Sequence, residues 1–327
     1  MFTILLWTCG FGSRSIKFLL AMRRRFRRRR FVSGEVNHVY QRTRNGFNIF
    51  YDLEDYLVYF TIFSVSAKKY GVVVLGLCLM IDHLHMLVCT EQRATLSEFV
   101  RQVTSVFVME YNASSGRKGP LFSHRFGSAP KVGLKKIRTA IAYLYNNPVE
   151  KLLCERVQDY RWNFLKYMRP VKSFSVRDTA SRKLLKAMSD VYLSFSLNKH
   201  LTYAQLRRMM KGLTFQERDA LADYIIRTYN PIDQEELVQY YGSYDNMLVA
   251  LNSNTGAEFD VREKYTPHSD EYYERLGNYI RQNTSIDYLR MVILLLDSEK
   301  LELCGRMMSL APKSLIYKFL HIKTCSE

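Results

Sequence analysis

The chain has 327 residues, long enough for two domains, since single cores seldom grow past roughly 100–200 residues, and its 47 % hydrophobic content is that of a globular protein. Its six cysteines, Cys9, Cys78, Cys89, Cys154, Cys304 and Cys325, are scattered with no C-x-x-C pair, which argues against a zinc ribbon or a disulfide framework and for a reducing, cytoplasmic compartment. The net charge of +17 is concentrated in residues 1–170, with 27 Lys/Arg against 11 Asp/Glu, while residues 171–327 carry 21 against 20 and have an acidic stretch over 212–303; so basic a half reads as a nucleic-acid surface, in the nucleoid for a cytoplasmic protein.

The chain opens on "MFTILLW", too short for a membrane span of about 20 apolar residues. The run "RRRFRRRR" follows this apolar part instead of preceding it, unlike a secretory signal. Residues 1–30 read as a disordered basic arm, with Met22, just before the run, as a second candidate start.

"EVNHVYQRT" (35–43) alternates and is rich in β-branched and aromatic residues, which predicts a strand, and "RNGFN" a turn. Asp52 can cap a helix running to about Lys69, with Leu53, Tyr56, Leu57 and Phe60 on one face and Gly71 ending it. "VVVLGLCLM" (72–80) reads as a buried strand, "ID" as a turn and "HLHMLVCT" (83–90) as the antiparallel return strand. A helix over 95–112, a basic glycine-containing loop over 114–120, an irregular segment and a second helix over 134–147 follow, the last ended by Pro148. Strand, helix, strand, strand, helix and helix in this order predict an α+β fold, a ferredoxin-like split β-α-β antiparallel sheet with helices on one face. Beyond about residue 170 the periodicity is helical throughout, including a weak helix-turn-helix pattern in "TYAQLRRMMKGLTFQERDALADYI". The expected organisation is therefore the arm 1–30, a domain over 31–169 and an all-α domain over 170–327, with the boundary near "MRPVKSFS".

On a strand, residues i and i+2 face the same way, so His83 and His85 project side by side while Leu84 points into the core. In "IAYLYNNP", Tyr143 and Asn147 share a helix face at i, i+4. Two imidazoles and one amide oxygen suit a weakly held Mg²⁺ or Mn²⁺ with open positions for water and phosphate. Tyr143 then stands one helical turn away as a nucleophile whose phenol, with an ordinary pKa near ~10, needs activation. Tyr145, on roughly the opposite face, reads as packing; His38 reads as a structural or DNA-contacting residue in preference to a ligand; His124 reads evenly as DNA contact or simple exposure. Tyr40, Phe47, Phe122 and Phe126 read as core before base-stacking platforms.

The stretches "GEVNHVYQRTRNG", "LGLCLMIDHLHMLV", "YNASSGRKGPLFSHRF", "YLYNNPVEKLL" and "DYRWNF" together resemble the single-tyrosine HUH transposases, the insertion-sequence single-strand transposases and more closely the REP-associated tyrosine transposases, over about residues 33–165. The resemblance implies His83 and His85 as the metal pair, Asn147 as third ligand, Tyr143 as nucleophile and Arg125 as a phosphate contact. Two positions depart from the family pattern: Ile81-Asp82 stands where Pro-Asn or Pro-Asp is usual, and Trp162-Asn163-Phe164 replaces W-S-S. Arg42, Arg44, Arg117, Lys118, Lys135, Lys136 and Arg138 form a basic set around the predicted site that fits a groove tracking a strand.

The implied activity is nicking and transfer of single-stranded DNA through a 5′-phosphotyrosine, with no nucleotide cofactor and, in keeping with that, no Walker-type phosphate loop. The implied partner is single-stranded or hairpin DNA, with no membrane, acted on by a monomer or homodimer. Two alternatives are a catalytically silent, domesticated protein that binds a DNA or RNA hairpin, and a replication initiator or relaxase with the same chemistry.

Overall fold

The computed structural model describes residues 30–123, 126–168, 180–253 and 270–323. Residues 1–29 of the expected arm, most of the boundary segment "MRPVKSFS", and both His124 and Arg125 lie outside the described residues.

Four strands, β1 (Val36–Arg42), β2 (Val73–Leu79), β3 (His83–Cys89) and β4 (Gly127–Lys131), form one sheet in the order β2-β3-β1-β4, every pair antiparallel. With helices α1 (Leu53–Tyr70), α2 (Arg93–Ser115) and α3 (Leu134–Glu150) between and after them, this is the ferredoxin-like α+β arrangement that the element order predicts. Strand β4 falls in the segment expected to be irregular. Its sequence "GSAPK" has no β-branched residue to mark it, and it tolerates Pro130 because it is an edge strand pairing only with β1.

The two sheet faces differ in what covers them. Thr104 of α2 donates from Oγ1 to Gln41 Oε1 at 3.1 Å, which places α2 on the face carrying Gln41, Val39 and Leu84. The tyrosine-bearing helix α3 crosses the other face, where His38, Tyr40, Arg42, His83 and His85 project, so the helices do not all lie on one face as the sequence led one to expect. It comes close because Gly76 of β2 has no side chain: a Cβ there would sit 3.3 Å from Leu144 and 3.4 Å from the Tyr145 hydroxyl.

Helix α3 runs past Pro148 to Glu150, where the sequence predicted a stop. A proline in the last turn removes one intrahelical bond, and the chain has little helix left to lose. The backbone N–H groups of Lys151 and Leu153 still donate to Asn147 and Pro148, at 3.2 and 2.9 Å. In the Trp162-Asn163-Phe164 segment, Trp162 stacks on Tyr56 at 4.1 Å, and Asn163 donates to the Val157 carbonyl and accepts from the Leu165 N–H.

Helix α1 was expected to be apolar on one face, yet every residue from Asp55 to Ser64 is buried. The run "YLVYFTIF" is apolar all round, which demands cover on all sides. Helices α4 (Arg182–Ser196), α5 (Tyr203–Met210) and α6 (Phe215–Tyr229) belong to that cover, followed by α7 (Gln234–Gln239), α8 (Tyr244–Asn252), α9 (Asp270–Asn283), α10 (Asp297–Met307) and α11 (Lys313–Leu320). The Leu201 N–H donates to Thr61 Oγ1 at 3.1 Å, and Ser64 donates to the Tyr229 carbonyl. Residues 31–327 thus form one compact unit. Two stretches expected to be continuous helices are broken, one at Gly242 (φ 79°), the other where the 3-10 turn Leu289–Leu294 precedes α10. No helix among the described residues is long and apolar enough to cross a membrane.

One tie between sheet domain and helical region is ionic and dry. Arg290 and Asp55 are both 0 % exposed, with Arg290 Nη1 at 3.0 Å from Asp55 Oδ1. Asp55 also accepts from the backbone N–H of Tyr51 and Asp52 and from the Tyr203 hydroxyl, at 2.9, 2.8 and 2.9 Å. The guanidinium lies over the Tyr203 ring at 4.2 Å. Next to this pair, burial pushes the Asp52 carboxyl up to about 7, with the Asp55 and Glu54 charges adding to the rise and Arg290 opposing it.

Two outcomes are expected. Arg290→Met strands a buried carboxylate and should cost about 3–5 kcal/mol in urea unfolding, while adding Asp55→Asn should restore much of that. Asp52 keeps its proton to a higher pH when folded (about 7) than when unfolded (about 3.9). Its contribution therefore favours folding at low pH and is lost as pH rises from about 4 to about 7. The difference in thermal midpoint between wild type and Asp52→Asn should fall across that window.

Candidate active site

The histidines sit at the end of the tight β2–β3 hairpin. Its closing bond runs from the Met80 N–H to the His83 carbonyl, at 2.8 Å. The hairpin tip is held from outside by the Thr43 N–H on the Asp82 carbonyl and the Ile49 N–H on the Ile81 carbonyl, both at 3.0 Å. The period of two then turns both imidazoles to the α3 face, where they stand with ring centroids 5.1 Å apart and planes at 85°.

Helix α3 delivers the other groups. Tyr143, Asn147 and Lys151 follow one another at four-residue steps, so all three face the histidines. Asn147 Oδ1 lies 3.3 Å from His83 Nε2, and Asn147 Nδ2 lies 3.4 Å from His85 Nε2. A single carboxamide therefore meets the Nε2 atoms of both imidazoles. The Tyr143 ring, 4 % exposed, stands edge-on to His85 at 5.3 Å and to His38 at 5.4 Å.

The surrounding bonds set the proton positions. Asp82 Oδ1 is 2.6 Å from His83 Nδ1 and takes that N–H. Burial pushes the Asp82 carboxyl up, but the His83 imidazole, with Lys151 and Lys318, more than reverses this and holds it well below the usual carboxylate range. The Lys151 ammonium, 3.1 Å from His83 Nε2, donates to it, so that nitrogen presents its lone pair. Burial first, and then the neighbouring His83 and His38 imidazoles and the Lys151 and Arg42 cations, push the His85 pKa well below the ordinary value, which favours its neutral form. The Asn147 N–H donates to its Nε2, which makes that nitrogen an acceptor too.

These contacts test whether the residues suit a metal ion. The His83 Nε2 lone pair and the Asn147 carbonyl oxygen face each other at 3.3 Å. Two acceptors at that distance favour a cation beside them, and the Lys151 ammonium supplies one. Two imidazole lone pairs and a carboxamide oxygen also form a donor set that fits a divalent ion with open positions. Among the described residues no group of three or more His, Cys, Asp or Glu side chains is arranged to hold a metal; the third donor here is an amide.

The structure thus brings together His83, His85, Tyr143 and Asn147. The basic set is placed unevenly. Arg42, exposed, pairs with His83 across the ladder and adjoins the site. Arg44, Lys118, Lys135 and Lys136 are exposed at loops or the start of α3. Arg117 instead braces its own loop, donating to Asn112 Oδ1 and to the Gly119 and Pro120 carbonyls at 3.0, 2.9 and 2.8 Å. Arg138 lies over the Tyr241 ring at 4.9 Å. Tyr145 is fully buried, its hydroxyl 3.5 Å from the Leu75 carbonyl, a packing residue as its helix face predicts.

Sequence reasoning missed two neighbours, Lys151 and the site role of Asp82, and weighed a third, His38, as structural or DNA-contacting without its partner. Lys151 carried a usable signal, its spacing of eight from Tyr143. Asp82 stood next to His83 and was weighed only as a turn residue. His38 lies 3.0 Å from His85 Nδ1 through its own Nε2, a contact that depends on the β1–β3 register, which no sequence pattern reveals.

Residues 32–147 match the family model described as "Transposase IS200 like". A solved structure titled "Structure of the REP associates tyrosine transposase bound to a REP hairpin" is similar at 19 % identity, covering 41 % of this chain and 79 % of that one, with a TM-score of 0.36. No curated protein matches the chain.

Proposed function

Because residues 32–147 belong to the IS200-like transposase family, we propose that the protein is a metal-dependent single-strand DNA endonuclease and strand transferase that works through Tyr143. The observation that carries this reading is the convergence of His83 and His85 on Asn147, one helical turn from Tyr143 on the same face of α3.

In this reading His83, His85 and Asn147 would hold Mg²⁺ or Mn²⁺, whose positive charge would polarise the scissile phosphate. The Tyr143 oxygen attacks the phosphorus as its proton leaves. The bond to the 3′ oxygen breaks, that oxygen takes up a proton as a free 3′-OH, and the 5′ phosphate stays on Tyr143. The new phosphodiester conserves the energy of the broken one, so a second 3′-OH can reverse the step without a nucleotide cofactor. The burial of the phenol keeps bulk water from the phosphotyrosine and favours transfer over hydrolysis. Lys151 and Arg42 are placed to neutralise the phosphate. Arg44, Lys118, Lys135 and Lys136 extend the basic path for a single strand or hairpin, and Arg125 is a further phosphate contact implied by the family pattern.

The test is a 3′-labelled hairpin oligonucleotide incubated with Mn²⁺. Wild type should give a denaturant-resistant protein–DNA adduct, and EDTA should abolish it. Tyr143→Phe should give no adduct while binding the hairpin as wild type does. Tight binding with no adduct from either protein would instead favour a catalytically silent hairpin-binding protein. Lys151→Met should slow adduct formation about 100-fold with little change in hairpin affinity, because it removes a charge aimed at the reacting phosphate and not one of many backbone contacts.

A further inference from the structure

We propose that His38 is a positioning residue: it accepts the Nδ1 proton of His85 and so locks that histidine in the tautomer whose Nε2 is free to bind metal, while its ring holds the edge of Tyr143. The metal-binding part of this inference rests on the function proposed above; the tautomer lock does not.

The geometry runs through three side chains. His38 Nε2 is 3.0 Å from His85 Nδ1, with the two rings stacked at 5.2 Å and 26°. A neutral imidazole carries one N–H, on one nitrogen or the other. On the far side of His85 the Asn147 carboxamide is assigned with its N–H toward Nε2, and in that orientation the proton of His85 belongs on Nδ1. That N–H lies in a residue only 1 % exposed and needs a protein acceptor. His38 Nε2 is in place to be that acceptor, which puts the proton of His38 on its own Nδ1. Metal-binding histidines commonly fix their tautomer by donating the second N–H to a carboxylate or a carbonyl. Asp82 does this for His83, and an imidazole does it for His85. The same His38 ring, 2 % exposed, meets Tyr143 at 69° and 5.4 Å, so it also limits where the phenol can swing.

The experiment uses the full chain, metal-free and labelled with ¹⁵N-histidine. Long-range ¹H–¹⁵N spectra distinguish the two tautomers directly. Wild-type His85 should show a protonated Nδ1 and a bare Nε2. His38→Phe keeps a ring but no acceptor and should move His85 to the other tautomer or to a mixture. His38→Gln, whose side-chain oxygen reaches the same point, should keep the wild-type pattern; His38→Asn, one bond shorter, should not, and gives the same comparison if the Phe variant does not fold. In Mn²⁺ titrations, loss of the acceptor should weaken binding about 10–100-fold, and His38→Gln should stay within a few-fold of wild type. A wild-type His85 protonated on Nε2, a tautomer unchanged in His38→Phe and His38→Asn, or equal Mn²⁺ affinities throughout would overturn the proposal. If wild type shows the locked tautomer but takes up no Mn²⁺, the metal reading of the site fails and the His38–His85 lock stands.

Discussion

The site depends on one carboxamide. Asn147 comes within 3.3 and 3.4 Å of the Nε2 atoms of two histidines that belong to a different element, and it can do so only if α3 lies close against the β2–β3 hairpin. An ångström of drift in the helix would carry the amide out of reach of at least one imidazole and move Tyr143 with it. Several features oppose that drift. Gly76 lets Leu144 and Tyr145 settle onto β2. Asn146, beside Asn147, turns to the opposite side and donates to the Ala142 and Leu251 carbonyls, both at 3.0 Å, which ties α3 to the end of α8. The Tyr160 hydroxyl donates to the Leu79 carbonyl at 2.8 Å, just before the hairpin turns.

The hairpin itself is supported from the far end of the chain. The loop that pins its tip through Thr43 and Ile49 is in turn held by α11 and the residue after it. His321 Nε2 donates to the Asn48 carbonyl at 2.7 Å and its ring stacks on Phe47 at 4.5 Å. The Tyr51 hydroxyl donates to the Phe319 carbonyl at 2.6 Å, and the Asn48 N–H meets the Lys318 carbonyl at 3.3 Å. With the dry Arg290–Asp55 pair, these contacts make the helical region part of the scaffold of the site. A buried ion pair is weak evidence for stability, since apolar residues of similar volume often serve as well. What it does here is fix alignment: the Arg290 guanidinium fits only where Asp55 and Tyr203 already stand together.

How far the sequence was legible follows from the range of each signal. Period two in "HLHMLV" and spacing four in "YLYNN" are local, and both put side chains on the faces where the structure has them. The core of α1 was also legible in principle, since a helix apolar on every side announces a second covering layer; treating it as one-sided concealed how extensively the helical region packs on it. Strand β4 left no local trace, because an edge strand with a proline has none to leave. His38 and Lys151 owe their roles to geometry between elements. Whether a histidine on β1 faces the site depends on register, and whether a lysine past the end of a helix folds back depends on how Pro148 lets the last turn close.

The charges around the site share one logic. Among the described residues, the two histidines bond to His38, Asn147 and Lys151 and to one carboxylate, Asp82, its side chain 30 % exposed. A centre built from carboxylates would hold a divalent ion more tightly, but it would also repel the polyanion that the proposed function brings to it. Imidazole and amide donors reverse that balance: they bind the cation less strongly and leave the local potential positive. The ammonium of Lys151 and the guanidinium of Arg42 add to that potential at the same end of the sheet. Asp82 lies on the far side of His83, turned toward its Nδ1, while Asn147 and the Lys151 ammonium stand on the Nε2 side. In the proposed reaction that environment would let the buried phenol and a phosphate approach each other without a competing negative charge.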